Sequence, residues 1–235
     1  MLKIEETDVY GWEAAIRGMR NPKNSWDKSD SGYCDINCQD GEKCPWGVIP
    51  WEDDAQHCLS FHVGENDMRL MKALAKAGSD HGKFLRMINV TVDITAPLYW
   101  WKEFDTYKVG TVANSCSTMH KIQAKEFELD DFSHEHLTSA DEYPSTVVLE
   151  SVICALNFWR KKFLESNDKN DWWQMIQLLP SSYNQKRTIQ FNYEVIRRMY
   201  HARKEHKLDE WRVTFCDWVR GLPHAQELII GEGDK

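Results

Sequence analysis

The stretch RMINVTVDITAPLYWWKEF, residues 86–104, decides the fold. Ile88, Val90, Val92 and Ile94 alternate with Met87, Asn89, Thr91 and Asp93, and this two-residue period predicts a half-buried strand over residues 86–95. Pro97 closes the strand and suits the first turn of a helix, where its missing N–H costs nothing. The run Leu98, Tyr99, Trp100, Trp101, Lys102, Glu103, Phe104 gives that helix a broad aromatic face. On either side the period changes to three and four. Upstream, DMRLMKALAKA at residues 67–77 predicts a helix with Asn66 as its cap and Gly78 as its stop. Residues 12–19 predict a shorter helix that ends at Asn21-Pro22 and gives way to a polar loop reaching about Cys58. Downstream, a loop around Gly110 and an acidic stretch over about residues 126–142 lead to helices predicted over about residues 145–166, 171–179, 187–205 and 208–220. Helices outweigh strands, so one sheet packed with helices, an α+β fold with a helix-rich C-terminal half, is the expected architecture.

A chain of 235 residues, 42% hydrophobic and 28% charged, is expected to form one domain over residues 1–235, with a Cys-containing loop insertion at about 31–60. Its formal net charge of −8 argues against a general nucleic-acid or anionic-membrane surface, because neutralising phosphates takes an excess of lysine and arginine. No 18-residue apolar run occurs, and residues 1–10 are acidic where a signal peptide would be basic and then apolar; a cytoplasmic location is expected. Of the seven cysteines, Cys116, Cys154 and Cys216 lie in segments that read as regular structure, so reduced thiols are expected. Cys34, Cys38, Cys44 and Cys58 fall with His57 in a loop composition, at a C-x3-C-x5-C-x13-C spacing that matches no common paired-CxxC knuckle. An ordinary surface insertion is the expected reading there, with a zinc site as the alternative.

Eleven tryptophans point to a tightly packed core and to subunit interfaces. Ser133-His134-Glu135-His136 holds a His-x-His pair that would need a third converging ligand to bind metal; solvated loop histidines are expected instead. Nothing matches a phosphate-binding Gly-rich loop or a nucleophile elbow, so kinase-like and hydrolase-like readings have no support.

The order of strand, Ala96-Pro97, aromatic helix and Ser/Thr/Asn-rich loop resembles the centre of the flavin-dependent thymidylate synthases. In that family a His-x-x-x-x-x-His segment opens a strand, and the signature Arg-His-Arg-x-x-Ser-x-Asn-Glu-x-Ser-x-Arg-Tyr follows the helix. Here His81 takes the first histidine position, Met87 replaces the second, and the signature falls on TYKVGTVANSCSTM, residues 106–119. The C-terminal half is more alike: Leu179-Pro180, Asn192 twelve residues after the proline and Arg203 eleven residues further on keep the family spacing without a gap. The resemblance covers about residues 79–222.

The resemblance implies a mostly antiparallel central sheet and a homotetramer whose flavin sites lie between subunits, with the aromatic helix 99–104 expected at an interface. The family moves a methylene group from methylenetetrahydrofolate and a hydride from FAD, itself reduced by NADPH, to place a methyl group on C5 of dUMP. Carried over position by position, His81, Thr106, Tyr107, Lys108, Thr111 and Asn192 take cofactor-side places, and Glu103, Asn114, Cys116, Ser117, His120 and Arg203 take substrate-side places, with Cys116 as a nucleophile candidate. The departures are in the charges. Thr106 and Tyr107 replace an arginine and a histidine, Lys108 keeps a charge but not the guanidinium fork, and Glu194 replaces a flavin-side arginine. Glu103 stands at the uracil-binding glutamine, and Thr118 and Ile176 stand at phosphate-binding arginines, so only Arg203 remains of that set. A helix over residues 187–205 would bring Asn192, Met199 and Arg203 near one face, with room for an anion between them. The resemblance thus implies a pyrimidine nucleotide or related small molecule as ligand and weak FAD binding. Two outcomes are open: one-carbon transfer to C5 of a pyrimidine nucleotide, or a nucleotide-binding module that has lost flavin chemistry.

Overall fold

The computed structural model describes residues 2–33, 61–140 and 142–231. The cysteines at 34, 38, 44 and 58 and His57 lie outside the described residues, and the zinc alternative with them. Four antiparallel strands, numbered in chain order, form the central sheet: β1 (Lys3–Tyr10), β4 (Asn89–Pro97), β6 (Asn184–Asn192) and β5 (Val112–Ser115), side by side in that order. A two-stranded ribbon pairs β2 (Gly32–Tyr33) with β3 (Phe61–His62). On β4 the alternation read from the sequence holds: Ile88, Val90, Val92, Ile94 and Ala96 are buried, while Thr91, Asp93 and Thr95 face the other way. That second face is polar, with Lys186 bound to Asp93 at 2.8 Å across the ladder.

The apolar face is covered by α1 (Trp12–Arg20), α2 (Glu65–Lys76), α3 (Leu98–Phe104), α7 (Tyr193–Arg203) and α8 (Cys216–Arg220), together with π-helical turns at Glu210–Phe215 and Gln226–Ile230. The expected last helix over 208–220 is therefore a π-helical turn running into α8. The helix expected over 187–205 is corrected more deeply: its first third is β6, paired along its whole length with β4, and α7 starts only at Tyr193. The strand's inward row is Gln185, Arg187, Ile189 and Phe191, half of it polar, which hides the two-residue period from a hydrophobicity count. Those polar residues are accommodated individually. Gln185 donates to the Cys116 carbonyl at 2.9 Å, and the Arg187 guanidinium lies 4.1 Å over the Trp101 ring while binding Asp105 at 2.7 Å.

β1 was read only as acidic sequence. Ile4 and Val9 both pack on the core although five positions separate them, which a regular strand forbids. A bulge between Glu5 and Asp8, with Glu6 at φ 50°, shifts the register and returns both side chains to one face.

Two corrections concern helix ends and faces. Asn66 lies within α2 and does not cap it. The Asp30 carboxylate does so from outside the helix, accepting from the Asn66 N–H at 2.8 Å and the Asp67 N–H at 3.0 Å. This brings Asp30 so near the chain that a Cβ on Gly64 would sit 2.3 Å from its Cγ. The aromatic face of α3 is not at an interface: Trp100, Trp101 and Phe104 are fully buried in the chain's own core, Trp100 stacking on Trp211 with ring centroids 4.3 Å apart. Burying each such side chain is worth about 1.5–3 kcal/mol, with roughly 0.5–1.5 more for a well-placed ring pair.

A separate helical hairpin, α5 (Ser145–Ser166) and α6 (Lys169–Leu178), encloses a smaller cluster of Ile122, Phe127, Phe132, Leu149, Leu156 and Met175. Asn157 ties it to the preceding segment by accepting from the Phe127 N–H and donating to the Phe127 carbonyl.

Candidate functional site

Arg203 and the aromatic helix meet at one end of the core. Packing brings them together: α3 carries Glu103 in its last turn and runs into tight turns that carry Thr106 and Tyr107, α7 ends at Arg203, and Trp211 rises from the π-helical turn beneath. Arg203 Nη1 binds Glu103 Oε2 at 2.6 Å, and its Nε donates to the Tyr107 hydroxyl at 3.0 Å. The guanidinium lies 5.0 Å from the centroid of the Trp211 ring and 5.6 Å from that of Tyr107. His206 completes the cluster. The Leu208 N–H donates to its Nδ1 at 3.1 Å, which leaves the ring proton on Nε2, 3.1 Å from the same Glu103 Oε2. The pair is partly open to solvent, with side-chain exposures of 17% for Arg203 and 34% for Glu103.

Beside this cluster Tyr99 donates to Glu210 and shares a 3.0 Å hydrogen bond with Ser133. Burial, the bond to Glu210 and that carboxylate's charge all push the Tyr99 phenol well above its ordinary range, so it stays a neutral donor. Neither Trp211 nor His206 stood out in the sequence as a site residue. The one cue was their place in the HKLDEWR segment after Arg203, and only the π-helical turn brings the ring under the guanidinium.

The other sequence-derived candidates lie elsewhere. Asn114, Cys116, Ser117 and His120 run along exposed β5 and the short helix α4 (Thr118–Lys121). Asn114 pairs with Thr188 in the ladder, Cys116 carries an exposed free thiol, and Ser117 caps α4 by accepting from the His120 N–H at 3.1 Å. No hydrogen bond or ion pair joins Lys102, Lys108 and His120 among the described residues. His81 sits in the turn after α2, its N–H bonded to the Gly78 carbonyl.

Asn192 is also corrected. It is the N-cap of α7, its side chain accepting from the Val195 N–H at 3.1 Å, and so stands at the opposite end of that helix from Arg203, about 16 Å away at 1.5 Å per residue. The two cannot hold one anion within a single chain. Gly110, at φ +82°, lets the signature loop pass over this end of α7; a Cβ there would meet Val195 Cγ2 at 3.0 Å.

The cofactor-side set fits a flavin dinucleotide poorly. Thr106 Oγ1 is bonded to the Glu103 carbonyl at 2.7 Å, Tyr107 to Arg203, and Asn192 to its own helix. Thr111 Oγ1, by contrast, is buried without a hydrogen-bond partner among the described residues. Among those residues no group of three or more His, Cys, Asp or Glu could hold a metal; His134 Nδ1 lies 2.8 Å from the Phe132 carbonyl.

No protein-family model matches the chain, and no curated protein does. Solved structures do match. Flavin-dependent thymidylate synthase ThyX from Helicobacter pylori, complexed with FAD and dUMP, superposes with a TM-score of 0.62 at 17% identity, over 96% of this chain and 98% of that one. A second structure of Helicobacter pylori ThyX with FAD and dUMP gives 0.63 at 15% identity, over 97% of each chain. The chain therefore has the α+β, antiparallel-sheet fold of the flavin-dependent thymidylate synthases.

Proposed function

We propose that this chain is a pyrimidine-binding module on the thymidylate synthase ThyX fold, and that it does not carry out ordinary thymidylate synthesis. The observation that carries this reading is the cluster of Arg203, Glu103, Tyr107, His206 and Trp211: a guanidinium held against two aromatic rings at the edge of the core, with a carboxylate and an imidazole N–H beside it. Such a group recognises a planar polar ring by stacking and by paired hydrogen bonds. The neighbouring fold is known with dUMP bound, which suggests the chemical class of the ligand.

One-carbon transfer to C5 of a pyrimidine nucleotide, with FAD, NADPH and methylenetetrahydrofolate, is the second reading. It draws support from the exposed Cys116 thiol and the unpartnered Thr111 hydroxyl. Against it stand Thr106, Tyr107 and Glu194 in place of cationic flavin-side groups, and the Thr106 hydroxyl already donates within the chain. Each charge-assisted bond missing from a flavin phosphate weakens binding by about 1.5–3 kcal/mol.

Assembly as a homotetramer belongs to the same proposal. The surface that suits it is on α5, where only Leu149 and Leu156 of the 22 residues are buried and Val147, Ser151, Cys154 and Phe158 form an exposed stripe at three- and four-residue steps, Phe158 being 55% exposed. An apolar helix face of that length favours burial against another subunit. No helix among the described residues is long and apolar enough to cross a membrane, and the cytoplasm is the proposed location.

The test is calorimetric titration with deoxyuridine, dUMP, UMP and dCMP. Arg203→Ala should weaken whichever ligand binds by roughly 1.5–3 kcal/mol, about ten- to more than hundredfold, in a protein that still folds. Equal affinity in both proteins would remove Arg203 from the site. A purified protein that keeps stoichiometric yellow colour through dialysis, or that rescues a thymidine-requiring host, would favour the enzymatic reading instead.

A further inference from the structure

We infer that Glu103 is a built-in counter-ion that turns the Arg203 site away from phosphorylated ligands, so that its preferred ligand is a pyrimidine nucleoside or free base and not a nucleotide. This rests on the pyrimidine-binding reading above and adds a selectivity to it. An arginine takes a phosphate through two parallel N–H bonds, either side-on from Nε and one terminal nitrogen or end-on from both terminal nitrogens. In this chain both forks are compromised. Nε donates to the Tyr107 hydroxyl at 3.0 Å, which occupies one arm of the side-on fork, and one N–H of Nη1 is held by Glu103 at 2.6 Å, which sets an anion against the end-on fork. A phosphate that takes the N–H groups left on Nη1 and Nη2 comes to lie beside the Glu103 carboxylate.

Displacing Glu103 does not solve the problem for a phosphate. The carboxylate is held a second time by His206 Nε2–H at 3.1 Å, and that ring is itself fixed by the Leu208 N–H, which donates to its Nδ1 at 3.1 Å. A phosphate at Arg203 would therefore lie beside an anion that stays in place, and like charges at such separations repel strongly in a partly desolvated site. Neutral ligands meet the reverse situation. The free guanidinium N–H and the adjoining carboxylate form a donor next to an acceptor, which matches a carbonyl next to an N–H on the edge of a uracil ring. The partly exposed Tyr107 ring supplies apolar surface at the same point.

The experiment measures the affinity ratio of deoxyuridine to dUMP by calorimetry at one ionic strength, for the wild-type chain, Glu103→Gln and Glu103→Ala. Wild type is expected to bind deoxyuridine at least as tightly as dUMP. Both substitutions should move the ratio towards dUMP by tenfold or more, because each removes the anion. A wild-type preference for dUMP of tenfold or more overturns the inference without any variant being needed, and so does an unchanged ratio in either folded variant while both ligands still bind; in those cases the pyrimidine-binding reading survives. Failure of the wild type to bind either ligand overturns that reading and the inference together.

Discussion

Two of the arginine–carboxylate pairs, Arg20–Asp67 and Arg203–Glu103, have the same 2.6 Å separation, and their surroundings give them opposite meanings. Arg20 and Asp67 are buried, at 4% and 0% side-chain exposure, and every polar atom near them is engaged. Asp67 accepts from Arg20 Nε, from the Ser29 and Ser31 hydroxyls and from the Asp30 and Ser31 N–H groups, while Arg20 also donates to the Ser25 and Lys28 carbonyls. This pair fastens the segment after α1 to α2 and leaves nothing for a ligand. Arg203 and Glu103 stand half-open over aromatic rings, with few partners and one guanidinium nitrogen outside their bonds. Distance alone would rank the two pairs equal. Saturation of the surrounding donors and acceptors distinguishes a structural pair from one that can recognise something.

The comparison breaks most visibly at Asp67. Asp67→Asn should cost about 3–5 kcal/mol in urea unfolding, because it strands the buried Arg20 charge among groups arranged for an anion. A loss under 1 kcal/mol would mean that the two pairs are energetically alike. Acid should expose the same difference. Burial alone would raise the Asp67 carboxyl, but hydrogen bonds from Ser31, Ser29 and Arg20 and the Arg20 charge together hold it below its ordinary value of 3.8. A carboxylate lowered on folding contributes its full stability above 3.8 and loses it as pH falls through the lower folded value. Urea midpoints of the wild type should therefore fall more steeply below about pH 4 than those of Asp67→Asn, and parallel curves would contradict the assignment.

A smaller effect is expected at Ser31, whose hydroxyl donates to Asp67 at 2.7 Å and accepts from the Gly64 N–H at 2.8 Å. Ser31→Ala should cost roughly 1.5–3 kcal/mol, the range for a bond to a charged group, as measured by chemical denaturation. The smallest belongs to the open pair: Glu103→Gln should change stability by about 1 kcal/mol or less, since a partly exposed ion pair contributes little net free energy. A loss comparable to that of Asp67→Asn would make Glu103 a structural residue and remove the reason to read its pair as a binding site.

Much of this arrangement was legible before any fold was known. The alternation of Ile88, Val90, Val92 and Ile94 and the proline behind it placed the central strand and the start of α3 to within a few residues, because hydrophobic period and proline geometry act locally. The spacing from Pro180 to Asn192 to Arg203 was also legible and pointed to Arg203. Its interpretation was not, since a helix assumed from residue 187 put Asn192 and Arg203 on one face, whereas β4 draws residues 184–192 into the sheet and leaves the asparagine as a cap. Strand pairing is a long-range choice, and the polar inward residues Gln185 and Arg187 carry no local sign that Trp101 and the Cys116 carbonyl will accommodate them.

The sequence by itself determined the element types with strong periods, the buried aromatic composition and the identity of the charged residues available for a site, because these depend on side-chain chemistry and near neighbours. Only the tertiary structure decided that α3 turns its tryptophans inward, that a bulge in β1 returns Ile4 and Val9 to one face, and that Glu103 meets Arg203 from a hundred residues away. The physical reason is that an ion pair forms where packing of the core brings two chain ends together. Burial of Trp100, Trp101 and Trp211 fixes that meeting point, and no pattern within either helix encodes it.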